Sequence, residues 1–475
     1  MMMTTAAEID LEVFRRYAGL SLPRHVSYPM PSWWSPLEAA EIASMRRESD
    51  SGRSLRDLSL YLHIPFCEAL CKFCACNRVI LRKNAEGADQ RVDAYLAAMI
   101  RELRQLAATV GGNRRVRQIH WGGGTPTYLS PDQVEQVHRA VEEAFLVSDD
   151  AEIAMEIDPR VTTPEMLRTL RRLGFNRLSM GIQDFDQAVQ EHVRRVQPFE
   201  LIREFVNACR DLRFENLNFD LIYGMPYQTV DSIRDTVEHT ISLSPDRVAF
   251  YHYAQIPAKI ATQRGMDYTK LPDSETKLEM FLTGLRLFES AGYEFVGLDH
   301  FARPDEALAV AGREGTLQRN FQGMTTGGGL DLWGAGASSI SHLLDVGFLQ
   351  NIKEPDEYVA CIEGGRSPVE RGKRLTFDDC VRQSLIHQLY CCGEIRSELV
   401  EQPFGIVFAE YFARELEVLT ELERDGLIVK EPNGDIKVTM PLGRVLLRNV
   451  AAVFDAYLNP DAYRRGELAS FSMNA

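Results

Sequence analysis

No apolar run in the chain reaches the roughly 18 residues that a membrane-spanning helix requires. No membrane partner is therefore expected. Positive charge is also in short supply: Lys and Arg number 53 against 68 Asp and Glu, a formal net charge of −15. That balance excludes a general nucleic-acid binder, although a basic pocket can sit in an acidic protein. The segment from Met1 to Leu11 has no basic stretch leading into an apolar core, so nothing reads as a secretion signal. Cysteine is sparse and odd in number, nine in all, which speaks against a disulfide scaffold and for a reducing cytosol. Low-complexity tracts are missing as well. What remains is an ordinary globular composition: 475 residues, 45% hydrophobic and 25% charged, with ample core for two or three domains.

Residues 1–50 read as an irregular N-terminal strap, with proline and aromatics gathered at 27–34. Such a strap either packs on the surface or lies across a site entrance. From residue 58 short apolar runs alternate with amphipathic helices. Strands are expected at 58–64, 118–121, 151–157, 177–180, 217–222 and 247–251. Helices are expected at 88–107, after Ser130 and from Thr163, the last two with a hydroxyl cap ahead of proline. Repeated strand–helix units over some 300 residues imply a parallel sheet, and in barrels of this kind the active site forms at the C-terminal strand ends. The expected fold is α/β, with residues 51–350 as the barrel. Residues 351–475 change character to helices at 379–390, 408–425 and 443–457 around a hairpin, a mostly helical, winged-helix-like arrangement. No basic recognition face stands out there, so a cover over the site is the expected role.

Residues 61–76 read YLHIPFCEALCKFCAC, placing Cys67, Cys71 and Cys74 in C-x3-C-x2-C spacing. A zinc site more often has four ligands in paired spacing. Three thiolates on one loop can hold three irons of a [4Fe–4S] cluster and leave the fourth iron open to chelate a small molecule. The spacing and its flanks resemble the radical S-adenosylmethionine (SAM) superfamily, in which the open iron binds the amine and carboxylate of SAM.

Further segments extend the resemblance: HWGGGTPTY at 120–128, EIDPR at 156–160, RLSMGIQDF at 177–185, DLIYGMP at 220–226, LDHFARPD at 298–305 and RNFQG at 319–323. In that order they are similar to the oxygen-independent coproporphyrinogen III oxidases of haem biosynthesis, from about residue 58 to 345 and more weakly to 458. The resemblance implies a partial (β/α)6 barrel, a [4Fe–4S] cluster on Cys67, Cys71 and Cys74, and two bound SAM molecules. Carried over by position, the first SAM would touch Tyr61, Phe73, Gly123, Glu156 and Ile340. The second would touch Gly124, Thr125, Gln183, Arg195, Asp220 and Ala254. Cys76, beside three sufficient ligands, would be a catalytic residue acting in hydrogen transfer or substrate placement. The implied partners are a tetrapyrrole substrate and a small electron-donor protein such as a flavodoxin or ferredoxin; a cytoplasmic monomer is expected.

Three positions depart from the family pattern. Met324 replaces a tyrosine, residues 24–30 read RHVSYPM instead of RYTSYPT, and Cys391–Cys392 replaces a Cys-Asn pair. All three bear on substrate more than on radical chemistry. The alternatives are a paralogue of methyltransferase or cyclopropanase type, and a haem-binding chaperone. Arg24 and Arg303 are candidates for binding substrate carboxylates.

Overall fold

Six parallel strands in sequence order form the centre of the computed structural model, which describes residues 9–20, 22–51, 56–111 and 114–458. They are β1 (Leu58–Ile64), β2 (Arg115–Gly123), β3 (Leu146–Ile157), β4 (Arg177–Gln183), β5 (Asn216–Tyr223) and β6 (Arg247–His252). Each pairs in parallel with the next. Every residue of β1 is buried, as expected for a strand covered on both faces. The crossover helices begin where the sequence caps them: Ser130 and Gln133 close a capping box before Pro131–Ala144, and Thr163 accepts from the Met166 amide. The result is the mixed α/β partial barrel expected of the sequence.

The sheet continues beyond the six strands. Asp331–Ala335 pairs in parallel with the outer side of β1. Antiparallel Ile340–Leu343, Gly347–Asn351 and Val369–Arg374 follow, and Ser35–Pro36 completes that edge. At the opposite edge His300–Ala302 runs antiparallel to β6. The sheet thus draws strands from all three expected segments of the chain.

Residues 1–50 are not irregular throughout. Leu11–Ala18 is a helix capped by Asp10, and it buries Val13, Phe14, Tyr17 and Ala18; Ala39–Ser51 is a second helix. In the C-terminal region Phe377–Cys392 is a helix, and Ile428–Lys430 pairs with Ile436–Val438 in the expected hairpin, joined by Glu394–Ile395. The two later helices are each interrupted. Phe412 divides Phe408–Tyr411 from Ala413–Arg424, and Leu446 divides Leu442–Val445 from Leu447–Val453. Both residues are fully buried, so the helix axis yields where an apolar side chain must reach the core. Residues 459–475 lie outside the described residues.

Asp331 anchors the added parallel strand. Its carboxylate pairs with Arg114 and accepts from Ser49 Oγ at 2.6 Å and the Leu344 amide at 2.8 Å. Both side chains of the pair are 0% exposed. Removing Asp331 leaves the buried Arg114 only the longer ionic contact to Asp50 at 3.6 Å, at a cost of about 3–5 kcal/mol. Asp331→Ala should lower unfolding stability in urea by that amount, and Arg114→Met added to it should restore part of the loss. A loss below about 1 kcal/mol, typical of surface pairs, would contradict this account.

Candidate functional site

The cysteine loop leaves the C-terminal end of β1 and is tied down at both ends. The Val79 amide donates to the Pro65 carbonyl at 2.7 Å, and the Leu81 amide to the Cys67 carbonyl at 2.9 Å. Midway, the Lys72 amide donates to the Val193 carbonyl at 3.0 Å, which fastens the loop to the helix Gln187–Val193. Cys67, Cys71, Cys74 and Cys76 all line one cavity of about 310 Å3 at the C-terminal strand ends. Among the described residues no three His, Cys, Asp or Glu side chains enclose a single metal ion.

Two guanidiniums reach Cys71 Sγ: Arg195 Nη1 at 3.6 Å and Arg160 Nη2 at 3.8 Å. Both also bond the Asp158 carboxylate, Arg195 Nη1 at 3.2 Å and Arg160 Nη2 at 2.6 Å. Burial raises the Asp158 pKa, but Arg195 and Arg160 outweigh it and hold the carboxyl below its ordinary range. Cys67 has Thr125 Oγ1 at 3.3 Å, while burial pushes its thiol up to about 11. Cys74 is drawn down by its bond with Cys76, whose own thiol is pushed up by the same contact. Cys76 lines the cavity, and it is exposed to solvent. Three thiols, guanidiniums donating to one of them, and an open remaining side suit a [4Fe–4S] cluster with one free iron.

The glycine run ends β2 against this wall. A methyl group at Gly122 would lie 2.8 Å from Glu156 Oε1. Gly123 has φ +117°, and a methyl there would lie 2.6 Å from His63 Cε1. Glu156 accepts from the Gly123 amide at 3.1 Å and lies 3.1 Å from His120 Nε2. Burial raises its pKa, but these contacts prevail and keep it a carboxylate. His63 Nε2 meets the Asn77 carbonyl at 3.0 Å, which only an N–H can do, so Nδ1 accepts from the Tyr61 hydroxyl at 3.0 Å. Burial lowers the His63 pKa to about 4 and keeps the ring neutral.

Across the cavity, Asp220 accepts from Asn218 Nδ2 at 3.0 Å and Ser179 Oγ at 3.2 Å. Burial, then the charge of Glu156, raises its pKa to about 6. Gln183 closes β4 with φ +69°, a strained value for a residue with a side chain.

The structure brings most expected site residues to this one cavity: Phe73, Gly123, Gly124, Thr125, Glu156, Gln183, Arg195 and Asp220, with the four cysteines. Three stand apart from its lining. Tyr61 lies behind it, stacked 6.0 Å from His120. Ala254 faces a small neighbouring cavity of about 80 Å3, and its carbonyl and that of Phe73 both accept from Gln263 Nε2. Ile340 is half-buried on its antiparallel strand. Both carboxylate-binding candidates already have partners within the protein: Arg24 pairs with Asp299, and Arg303 donates to the Ser244 and Pro245 carbonyls. Sequence reasoning missed Asp158 and Arg160, which lie two and four residues after Glu156 in a motif already singled out. Their signal was the acid and base flanking a proline at a strand end.

Cys67→Ala is expected to lose the iron that anaerobic reconstitution gives the wild type, about four atoms per chain. Retention of the full iron content in that variant would remove Cys67 from the ligand set.

With this geometry in view, similarity to known proteins is informative. The radical SAM superfamily model matches residues 61–240. The oxygen-independent coproporphyrinogen III oxidase of Salmonella typhimurium is 43% identical over 455 residues, covering 95% of this chain and 96% of that protein. The Escherichia coli K12 protein of the same name is 41% identical over 455 residues, with the same coverage. The solved structure of coproporphyrinogen III oxidase from Escherichia coli, titled a radical SAM enzyme, superposes with a TM-score of 0.86 at 40% identity, covering 95% of this chain and 99% of that one. Fold, cysteine loop and full-length similarity agree, and the chain belongs to the oxygen-independent coproporphyrinogen III oxidase family of radical SAM enzymes.

Proposed function

We propose that the chain oxidatively decarboxylates two propionate side chains of coproporphyrinogen III to vinyl groups, giving protoporphyrinogen IX in anaerobic haem biosynthesis. The observation that carries the reading is the shared cavity: three thiols, a fourth that is not needed as a ligand, and the ends of β2 to β5 all face one volume. Relatives bearing this activity in their names match across 95% of the chain. That full-length agreement disfavours the methyltransferase-type and haem-chaperone alternatives.

A [4Fe–4S] cluster and SAM, when bound, supply one-electron chemistry that takes a hydrogen atom from an unactivated C–H bond. At each propionate the β-carbon loses that hydrogen atom, the carboxylate leaves as CO2, one electron departs to an acceptor, and the vinyl double bond remains. The chain's part is to bind and orient. Cys67, Cys71 and Cys74 would hold the cluster, and Arg160 and Arg195 donate to Cys71. The backbone at Gly123, with Glu156 and Phe73, would bind and orient the first SAM. Gln183 and Asp220 stand opposite and Thr125 lies beside Cys67; these residues would meet the second SAM that the family resemblance implies. Arg195 already donates to the Gly181 carbonyl through Nε at 3.0 Å and Nη2 at 2.7 Å. Those bonds also hold Cys71 and the end of β4 in register, while Arg195 lines the cavity where it would meet the second SAM. Electrons come from a small flavin or iron–sulfur donor protein.

Cys76 is placed to act on substrate. Its exposed thiol faces the cavity that the ligand cysteines line. Anaerobic incubation of the wild type with coproporphyrinogen III, SAM, dithionite and an electron acceptor should yield protoporphyrinogen IX. Cys76→Ser should keep the cluster spectrum and lose decarboxylation. SAM cleavage by the wild type without vinyl product would refute the substrate assignment. Loss of the cluster spectrum in Cys76→Ser would make that cysteine a ligand.

A further inference from the structure

A second cavity, of about 650 Å3, adjoins the first. It is enclosed by the strap at His25–Tyr28, the hairpin of Gln318–Asn320 and Gly323–Thr325, and the helix Phe377–Cys392. Ser59, Gln118, Asn320 and Thr325 line both cavities, so a molecule in the larger can send an arm into the smaller without leaving the protein. Phe321 stands at the boundary, its ring 5.3 Å from that of Tyr61 and nearly perpendicular to it. Tyr28, Leu332, Phe348 and Tyr390 give the larger cavity flat apolar surface. Its volume falls in the range of ligand pockets, roughly 300–1,000 Å3.

Three arginines line this cavity: Arg313, Arg319 and Arg396. Arg313 donates to Glu294 at 2.6 Å, and Arg396 pairs with Glu394 at 3.1 Å. Arg319 differs. Its Nε and Nη1 are buried without a hydrogen-bond acceptor, and no carboxylate among the described residues pairs with it. Yet it is held firmly. Its amide donates to His387 Nε2 at 2.9 Å, and its guanidinium carbon lies 5.5 Å from the centre of the Tyr390 ring. Donors left unpaired by the protein are costly to keep, and a guanidinium at a cavity wall with no carboxylate beside it is suited to receive one from a ligand.

We propose that Arg319 clamps a carboxylate of the tetrapyrrole substrate, with the macrocycle in the larger cavity; this rests on the functional reading above. The clamped group is a propionate that the product retains. A carboxylate about to leave as CO2 loses its charge, so an ion pair with it would stabilise the reactant against the change. The reacting propionate instead reaches past Asn320 and Thr325 toward Cys76.

The test is equilibrium binding of coproporphyrin III, the stable oxidised form of the substrate, to reconstituted protein, followed by tetrapyrrole fluorescence. Arg319→Met should weaken binding at least tenfold, while iron content and SAM binding stay at wild-type levels and report an intact fold. Arg319→Lys should recover part of the affinity. The tetramethyl ester, which has no carboxylates, should bind wild type and Arg319→Met alike. Equal binding of coproporphyrin III by wild type and Arg319→Met would overturn the clamp while leaving the functional reading in place. Failure of that reading looks different: the wild type itself, loaded with cluster and SAM, would neither bind coproporphyrin III nor turn over its reduced form, and the clamp would fall with it.

Discussion

One guanidinium joins the parts on which the site depends. Arg195 donates to the Gly181 carbonyl near the end of β4, to the Asp158 carboxylate after β3, and to Cys71 Sγ on the loop after β1. Loops are the least constrained parts of a fold, and a cluster needs its ligands held within narrow limits. Charge-assisted bonds in a buried setting hold what backbone pairing alone would leave loose. Arg160 repeats the pattern from the other side of Asp158, so the carboxylate is paired twice and both cations face a thiol. The arrangement places positive charge beside Cys71 Sγ, which favours its thiolate form, the form an iron ligand needs.

The barrel was legible because its signals are local. β1 to β6 announce themselves as short apolar runs, and Ser130 and Thr163 as caps. The cysteine loop was legible because spacing within sixteen residues carries its chemistry. The first helix was within reach too, since Asp10 precedes Val13, Phe14, Tyr17 and Ala18 at helical spacing, but proline and aromatics farther along the strap dominated the reading. The helix breaks at Phe412 and Leu446 left no local mark; they answer to a core assembled from distant segments.

The same divide runs through the site. Glu156, Gln183 and Asp220 sit at strand ends and could be placed from strand positions alone. The occupation of Arg24 by Asp299 joins residues 275 apart in sequence, and the isolation of Arg319 is a property of its surroundings. From sequence all arginines look equally free to meet a carboxylate. Only packing distinguishes a cation already matched within the protein, as Arg24 is by Asp299, from one that is not.

The two cavities divide the labour along this line. Around the cysteines the charges are matched in place, with Asp158 between two arginines and Glu156 bonded to His120 and Gly123. His63 and His300 are held neutral by burial, with pKa values lowered to about 4 and about 3. Such a wall offers few mobile protons, and hydrogen-atom chemistry needs none from the protein. Asp220 is the exception. Burial and the nearby Glu156 raise it to about 6, so its carboxylate form is the one that an arriving cation would stabilise. A positively charged cofactor would settle the charge on this wall, as an anionic substrate would on the proposed wall of Arg319. Each ligand meets the protein at the place where its charge is lacking.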